Sequence, residues 1–189
     1  MMNSITTRTK IQIQTSVRKY LADLITPVSL YLKLRDHFTE PVLLESNDFR
    51  SKADCSSYLG LDALASFEVK NGQIIQQMPD GRRLTSSVEH IQSVPEAMNA
   101  FLQSFEVNYQ SPYSGFNGCF GHTNFDAVQY FDSLTFPTEK RKTDLPDIRY
   151  TFYRFVLSIN HFKDEIEVLE NLPAGYPSRL SELEELLQS

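Results

Sequence analysis

Residues 149 to 160 read RYTFYRFVLSIN, and residues 165 to 170 read EIEVLE. The first stretch is dense in aromatic and β-branched side chains, and the second alternates charged with apolar residues; both patterns are typical of β-strands. A short polar segment separates them, so we expect two antiparallel strands joined by a turn. An antiparallel sheet is therefore the predicted framework of the molecule.

Further strands are predicted earlier in the chain. Residues 10 to 14 (KIQIQ) alternate polar with apolar types, and residues 57 to 69 also have strand character. The pair Asn71-Gly72 favours a type I′ hairpin turn into a strand at 74 to 77. Pro79-Asp80-Gly81 then marks another turn, so this part of the chain predicts a hairpin.

Three segments predict helices. Residues 26 to 38 begin with Thr-Pro and place Leu30, Leu34 and Phe38 on one helical face. In the second segment, Ser93 is the expected N-cap of a helix that runs to about residue 105. The third, residues 178 to 187, carries a stripe of leucines that we expect to be exposed and to need a packing partner.

Gly115, Gly118 and Gly121 lie in an aromatic-rich stretch. We expect them to allow close backbone packing or positive φ in a strand that leads into a short helix at 127 to 131. Residues 137 to 147 are polar and predict an exposed loop.

Strands outnumber helices and return as hairpins, which indicates an α+β fold with a mainly antiparallel β-sheet and a few packed helices. A chain of 189 residues predicts a single domain, residues 1–189.

Composition narrows the possible partners and location. The net charge of -6 and the lack of a Lys/Arg-rich block argue against nucleic acid, and no apolar stretch is long enough to span a membrane. The first residues lack the apolar core of a secretion signal, so we expect a cytoplasmic protein. Cys55 and Cys119 lack metal-type spacing and are interpreted as free thiols with a packing role.

The sequence contains no recognisable catalytic motif: it lacks a nucleophile elbow, a phosphate-binding loop, a zinc-protease helix and a dinucleotide fingerprint. Its four histidines, at 37, 90, 122 and 161, are scattered. We therefore predict no catalytic residues and no metal site in this chain.

One polar group stands out at a strand end. Pro41 to Leu44 predict a buried strand, followed at once by Glu45 and Ser46. A carboxylate and a hydroxyl placed there are suited to binding an ammonium group and a polar ligand. The residues alone leave a solvated strand end as the alternative interpretation.

Four ordered stretches resemble the amino-terminal domain of anthranilate synthase component I. They are TPVSLYLKLRD (26–36), PVLLESND (41–48), SSYLGLDALASFEVKNGQI (56–74) and SGFNGCFGHTNFDAVQYFDSL (114–134). A fifth, the phrase LPDI at 145 to 148, also matches the family. The ordered set, rather than any single motif, carries the resemblance.

The resemblance implies an effector site. In that family the strand ending in LLES helps to form a pocket for tryptophan, the end product that inhibits the enzyme. The match falls on Leu44, Glu45 and Ser46, and a further pocket position, basic in some members, falls on Ser56. By this resemblance Glu45 would face the tryptophan ammonium group and Ser46 would hydrogen-bond a polar end of the ligand.

The resemblance also implies what this chain lacks. The family converts chorismate to anthranilate in a longer carboxy-terminal half, which holds the Mg²⁺-binding glutamates and works with a glutamine amidotransferase subunit, component II. The chain alone is therefore expected to be inactive and to bind no cofactor of its own. Two alternatives remain open: the same domain of aminodeoxychorismate synthase component I, from the folate pathway, and a stand-alone amino-acid-binding module.

Overall fold

The computed structural model describes residues 10–21, 25–45, 56–110, 115–134, 144–160, 163 and 165–188. The strands in these ranges are β1 (Ile11–Leu21), β2 (Val42–Leu44), β3 (Ser56–Lys70), β4 (Gln73–Gln77), β5 (Arg83–Ser87), β6 (Phe105–Tyr109), β7 (Cys119–Thr123), β8 (Ile148–Asn160) and β9 (Glu165–Pro173). The helices are α1 (Pro27–Leu34), α2 (Ser93–Gln103) and α3 (Leu180–Gln188), with a 3₁₀ helix at Phe125–Tyr130.

The described strands form one sheet. Their order is β5-β4-β3-β8-β9-β1-β6, with β2 added beside β3 and β7 added beside β8. The pairing of β1 with β6 is parallel, and the other pairings are antiparallel. The predicted α+β fold with a mainly antiparallel sheet is therefore confirmed.

The long strands β3 and β8 lie side by side at the centre of the sheet, with 15 and 13 residues respectively. Each is long enough to pair with two strands along its outer edge. On β3, residues 58–60 pair with β2 and residues 66–70 pair with β4. On β8, residues 155–160 pair with β9 and residues 148–152 pair with β7. The two ends of the central pair therefore have different neighbours.

An irregularity divides those two ends. The register of β3 against β8 shifts between Ala63 and Ala65, and Asp62 has a positive φ of 61°. Its carboxylate oxygen Oδ2 lies 2.8 Å from Nε of Arg154 on β8 and 2.8 Å from Nη1 of Arg179 just before α3. The bulge thus joins both central strands to the start of the last helix.

Among the described residues, three apolar clusters form the core. The first lies under α2 and the 3₁₀ helix and includes Phe67, Phe101 and Phe152. The second lies under α1 and α3 and includes Leu30, Leu59, Phe155 and Leu183. The third includes Phe116, Tyr153, Val156 and Leu169. Neighbouring residues of β3 enter different clusters, Leu59 the second and Tyr58 the third. This follows from the alternation of side chains across a strand.

Several local predictions are confirmed. Asn71 and Gly72 have φ values of +52° and +70°, as a type I′ turn requires. Helix α1 has Thr26 as its N-cap, whose Oγ1 accepts a hydrogen bond of 3.1 Å from the backbone N–H of Ser29. Strands β8 and β9 pair antiparallel.

The structure corrects the predictions about two helices. Ser93 is not the N-cap of α2 but its first residue, and its hydroxyl accepts hydrogen bonds from the N–H groups of Glu89 and His90. The leucine stripe of α3 is not left exposed, since Leu180 and Leu183 are buried in the second cluster. The sheet itself is the packing partner that the stripe needs.

Other corrections concern burial and strands. Strand β2 is half-buried rather than buried, because it lies at the outer edge of β3. Asp147 is buried rather than part of an exposed loop, and its Oδ2 accepts a hydrogen bond from the Tyr130 hydroxyl; residues 137–143 of that loop lie outside the described residues. Strands β5 and β6 were not expected from the sequence.

The predictions for the glycines of the aromatic-rich stretch have different outcomes. A Cβ on Gly121 would lie 1.8 Å from the carbonyl oxygen of Arg149, so close packing is confirmed there. Gly115 has a positive φ of 81°, the other conformation expected of these glycines, whereas Gly118 has neither a positive φ nor any atom within 4 Å of an added Cβ, so the prediction is wrong there.

We expect Gly121→Ala to destabilise the protein strongly, by about 3 kcal/mol or more, because the neighbouring atom is rigid backbone. Gly118→Ala is the matched control, with an expected change within about 0.5 kcal/mol. Urea unfolding of both variants measures the difference. Equal stability of the two would contradict the close approach of β7 to β8.

Candidate functional site

The end of β2 lies against the beginning of β3. Leu44 pairs directly with Tyr58, and Ser56, the first residue of β3, precedes Tyr58 by two positions. The structure therefore brings two predicted site residues, Leu44 and Ser56, to the same end of the strand pair, and both are half-buried. Glu45 follows Leu44 directly and is exposed. The fourth predicted residue, Ser46, lies outside the described residues.

The strand pairing decides which face these side chains share. Directly opposed residues of an antiparallel pair point to the same face, and residues two apart on one strand do so as well. Leu44, Tyr58 and Ser56 therefore share one face of the sheet. Leu43, in contrast, packs with the second core cluster on the other face.

Aromatic rings lie next to this end of the strand pair. The ring of Tyr58 lies 6.3 Å from that of Phe116 and 6.3 Å from that of Phe120, centroid to centroid. Phe120 in turn lies 6.5 Å from Tyr153. We call these four rings the aromatic face. Phe116 and Tyr153 are buried in the third cluster, so Tyr58 and Phe120, which are half-buried, are the two rings of this face with apolar surface left for another aromatic ring.

Buried hydrogen bonds join the chain segments that carry the aromatic face. Asn171 is fully buried; its side chain donates 2.9 Å hydrogen bonds to the Tyr153 carbonyl and to Asn117, the residue after Phe116, and accepts one from the buried Thr15 hydroxyl. Since a buried amide is costly to leave unpaired, this network fixes where the chain segments carrying Phe116 and Tyr153 meet.

A cleft of about 440 Å³ runs alongside the start of β2. Residues lining it include Glu40, Val42, Phe120, His122, Arg149 and Thr151. The guanidinium of Arg149 lies 2.6 Å from the carboxylate of Glu40 and 2.6 Å from that of Glu68. Burial lowers the pKa of Arg149, while the two carboxylates raise it, and the net shift is upward.

Sequence reasoning missed the neighbours of the predicted site. Neither the aromatic face near Leu44 nor the Arg149 ion pairs at the start of β2 were expected. The aromatic side chains were visible in the sequence, but no local pattern connects Glu40 with Arg149, which is 109 residues away. Only the pairing of the strands brings them together.

The remaining candidate groups show no joint arrangement. His37, His90 and His122 are exposed, and His161 lies outside the described residues. Burial raises the pKa of the Cys119 thiol to about 11, which disfavours the reactive thiolate; Cys55 lies outside the described part of the chain. Within the described ranges, no three His, Cys, Asp or Glu side chains converge as a metal site would require, and no helix is long and apolar enough to cross a membrane.

We expect Asn171→Ala to lower the free energy of unfolding by about 2–4 kcal/mol, because the buried Thr15 hydroxyl, the buried Tyr153 carbonyl and the half-buried Asn117 amide lose a hydrogen-bond partner. Asn108→Ala is the control, since its side-chain hydrogen bond to Gln12 is exposed, and it should cost less than about 0.5 kcal/mol. Chemical denaturation compares the two. A small effect at Asn171 would show that the network is not a structural support.

Comparison with known proteins gives a sequence match to one family. The chain is 28% identical over 153 residues to anthranilate synthase component 1 of Thermus thermophilus, an alignment that covers 80% of this chain and 31% of that protein. A crystal structure of anthranilate synthase component I from Streptococcus pneumoniae aligns with 89% of this chain and 35% of that one, at 19% sequence identity and a TM-score of 0.48. No protein-family model matches the chain.

The chain thus spans about a third of the length of these relatives. The alignment with the Thermus protein covers most of the present sequence. It confirms the resemblance indicated by the sequence stretches, which is to the amino-terminal domain of anthranilate synthase component I.

Proposed function

We propose that this chain is the regulatory and structural amino-terminal domain of an anthranilate synthase component I, a lyase that makes anthranilate from chorismate in tryptophan biosynthesis. The observation that carries this proposal is the similarity to the Thermus enzyme over 80% of the chain. The ordered sequence stretches, including LLES at 43 to 46, support the same assignment.

The proposal locates catalysis elsewhere in the full-length protein. Since the chain corresponds to 31% of the Thermus enzyme, the chorismate site and its Mg²⁺ belong, in this proposal, to the remaining length. The corresponding partners are that carboxy-terminal portion and a glutamine amidotransferase subunit, component II. The role of this chain is then to bind the inhibitor and to support the catalytic portion.

The proposed effector is tryptophan, bound at the end of β2. The half-buried Leu44 and Ser56 would contact the ligand on the face that also carries Tyr58, and the indole ring would lie against that apolar surface. Glu45, exposed directly beyond Leu44, would pair with the ligand's ammonium group. Ser46 is proposed to hydrogen-bond the ligand's polar end.

Titration of L-tryptophan into the chain tests the proposal. The protein contains no tryptophan residue, so ligand fluorescence excited at wavelengths that its nine tyrosines do not absorb reports binding directly. We expect saturable binding, with a shift in ligand emission as indole leaves water, and no comparable heat from phenylalanine in a calorimetric control. Absence of saturable binding would contradict the proposal that this chain carries an effector site by itself.

Glu45→Gln tests the role of the carboxylate. Because Glu45 is exposed, its attraction to an ammonium group is screened by water, and we expect the affinity for tryptophan to fall only about two- to fivefold. Glu106→Gln, an exposed glutamate on β6, is the control and should leave the affinity unchanged. Unchanged binding by the Glu45→Gln variant, where the wild type binds, would remove Glu45 from the site.

A further inference from the structure

Strand β2 is too short to hold its own position firmly. It has three residues, and it pairs with β3 only through residues 42–44. A typical strand has about five or six residues, so the ladder here contributes few hydrogen bonds. The position of β2 must therefore depend on contacts made just outside it.

The turn that leads into β2 is strained. Glu40 has a positive φ of 46°, a conformation that costs a non-glycine residue about 1–2 kcal/mol. Such a conformation persists where the surrounding structure holds it in place. The adjacent Thr39 contributes part of this support, since its carbonyl accepts a hydrogen bond from the Asp62 N–H and its hydroxyl accepts one from the Ala63 N–H.

The side chain of Glu40 makes the longer-range contact. Its Oε2 lies 2.6 Å from Nη2 of Arg149 on the central strand β8. Arg149 is itself oriented by Glu68, which pairs with it across β3 and β8 and accepts a 2.6 Å hydrogen bond from Nη1. The side chain of Glu68 is 17% exposed, that of Arg149 34% and that of Glu40 50%, so water partly screens the Glu40–Arg149 pair.

We propose that the Glu40–Arg149 ion pair is a clamp that holds β2 against the sheet and thereby positions the effector site. Glu40 and Arg149 are positioning residues here, because neither lies in the strand segment that would contact the ligand. The link to an effector rests on the proposed function, whereas the clamping of β2 does not.

Glu40→Gln removes the charge of the clamp while keeping its size. The matched control is Glu68→Gln, which neutralises the other carboxylate on the same arginine at the same distance but keeps the carboxylate of Glu40 before β2. The measurement is amide hydrogen exchange at residues 42–44 and, for comparison, at residues 166–169 of β9. A general loss of stability would raise exchange in both strands.

We expect Glu40→Gln to accelerate exchange in β2 about two- to fivefold, because water partly screens the pair, with β9 unchanged and a clearly smaller effect of Glu68→Gln on β2. Unchanged exchange in β2, or an equal increase in β2 and β9, would overturn the clamp.

Tryptophan titration of the same two variants tests the link to the effector site. We expect Glu40→Gln to weaken binding severalfold more than Glu68→Gln does. Equal affinity of both variants, alongside faster exchange in β2, would overturn the positioning role. If the wild-type chain binds no tryptophan, the effector proposal fails, while the exchange data still decide whether the clamp exists.

Discussion

The pairing of β3 with β8 is the interaction on which the rest of the structure depends. The register covers residues 56–69 of β3 and 148–160 of β8, and β2, β4, β7 and β9 each pair with one of these two strands. All three core clusters include residues of β8, so both faces of the sheet are organised by the same pair. The short strand β2, with the candidate site at its end, has its position defined relative to this pair and not by a core of its own.

The bulge at Asp62 is the main constraint within that pair. An aspartate with positive φ would be unfavourable alone, and its partly buried carboxylate would be costly without partners. Arg154 and Arg179 each place a nitrogen 2.8 Å from it, and Thr39 accepts a hydrogen bond from its backbone N–H. The same residue therefore ties the turn before β2, the central strand β8 and the segment entering α3 to one point. Any shift of β2 along the sheet would have to be accommodated at this point.

Sequence patterns predicted those features that local chemistry determines. The type I′ turn follows from Asn71-Gly72, the start of α1 from Thr26-Pro27, and the β8–β9 pair from two adjacent stretches with strand character. The prediction of Ser93 as an N-cap was wrong because its hydroxyl accepts hydrogen bonds from the turn before the helix. Which N–H groups it meets depends on the path of the backbone. Strand β6 lacked a hairpin signal because its partner β1 is parallel and far away in sequence. For the proposed site, a resemblance indicated Leu44 and Glu45, but the aromatic rings near Leu44 and the ion pairs at the start of β2 depend on long-range pairing that no local pattern encodes.

The two kinds of contact proposed for the effector would contribute unequally. Burying about 100 Å² of indole against the apolar surface beside Leu44 is worth about 2.5 kcal/mol at ~25 cal/mol per Å². An exposed ion pair to Glu45 adds about 0–1 kcal/mol. The apolar contact would then set affinity, and Glu45 would discriminate in favour of a free amine. Dispersion contacts weaken by a quarter to a half when a gap of about 0.5–1 Å opens, so the position of β2 would matter more for binding than the charge at its end. That dependence gives the Glu40–Arg149 clamp more influence over the proposed site than its distance from the ligand suggests.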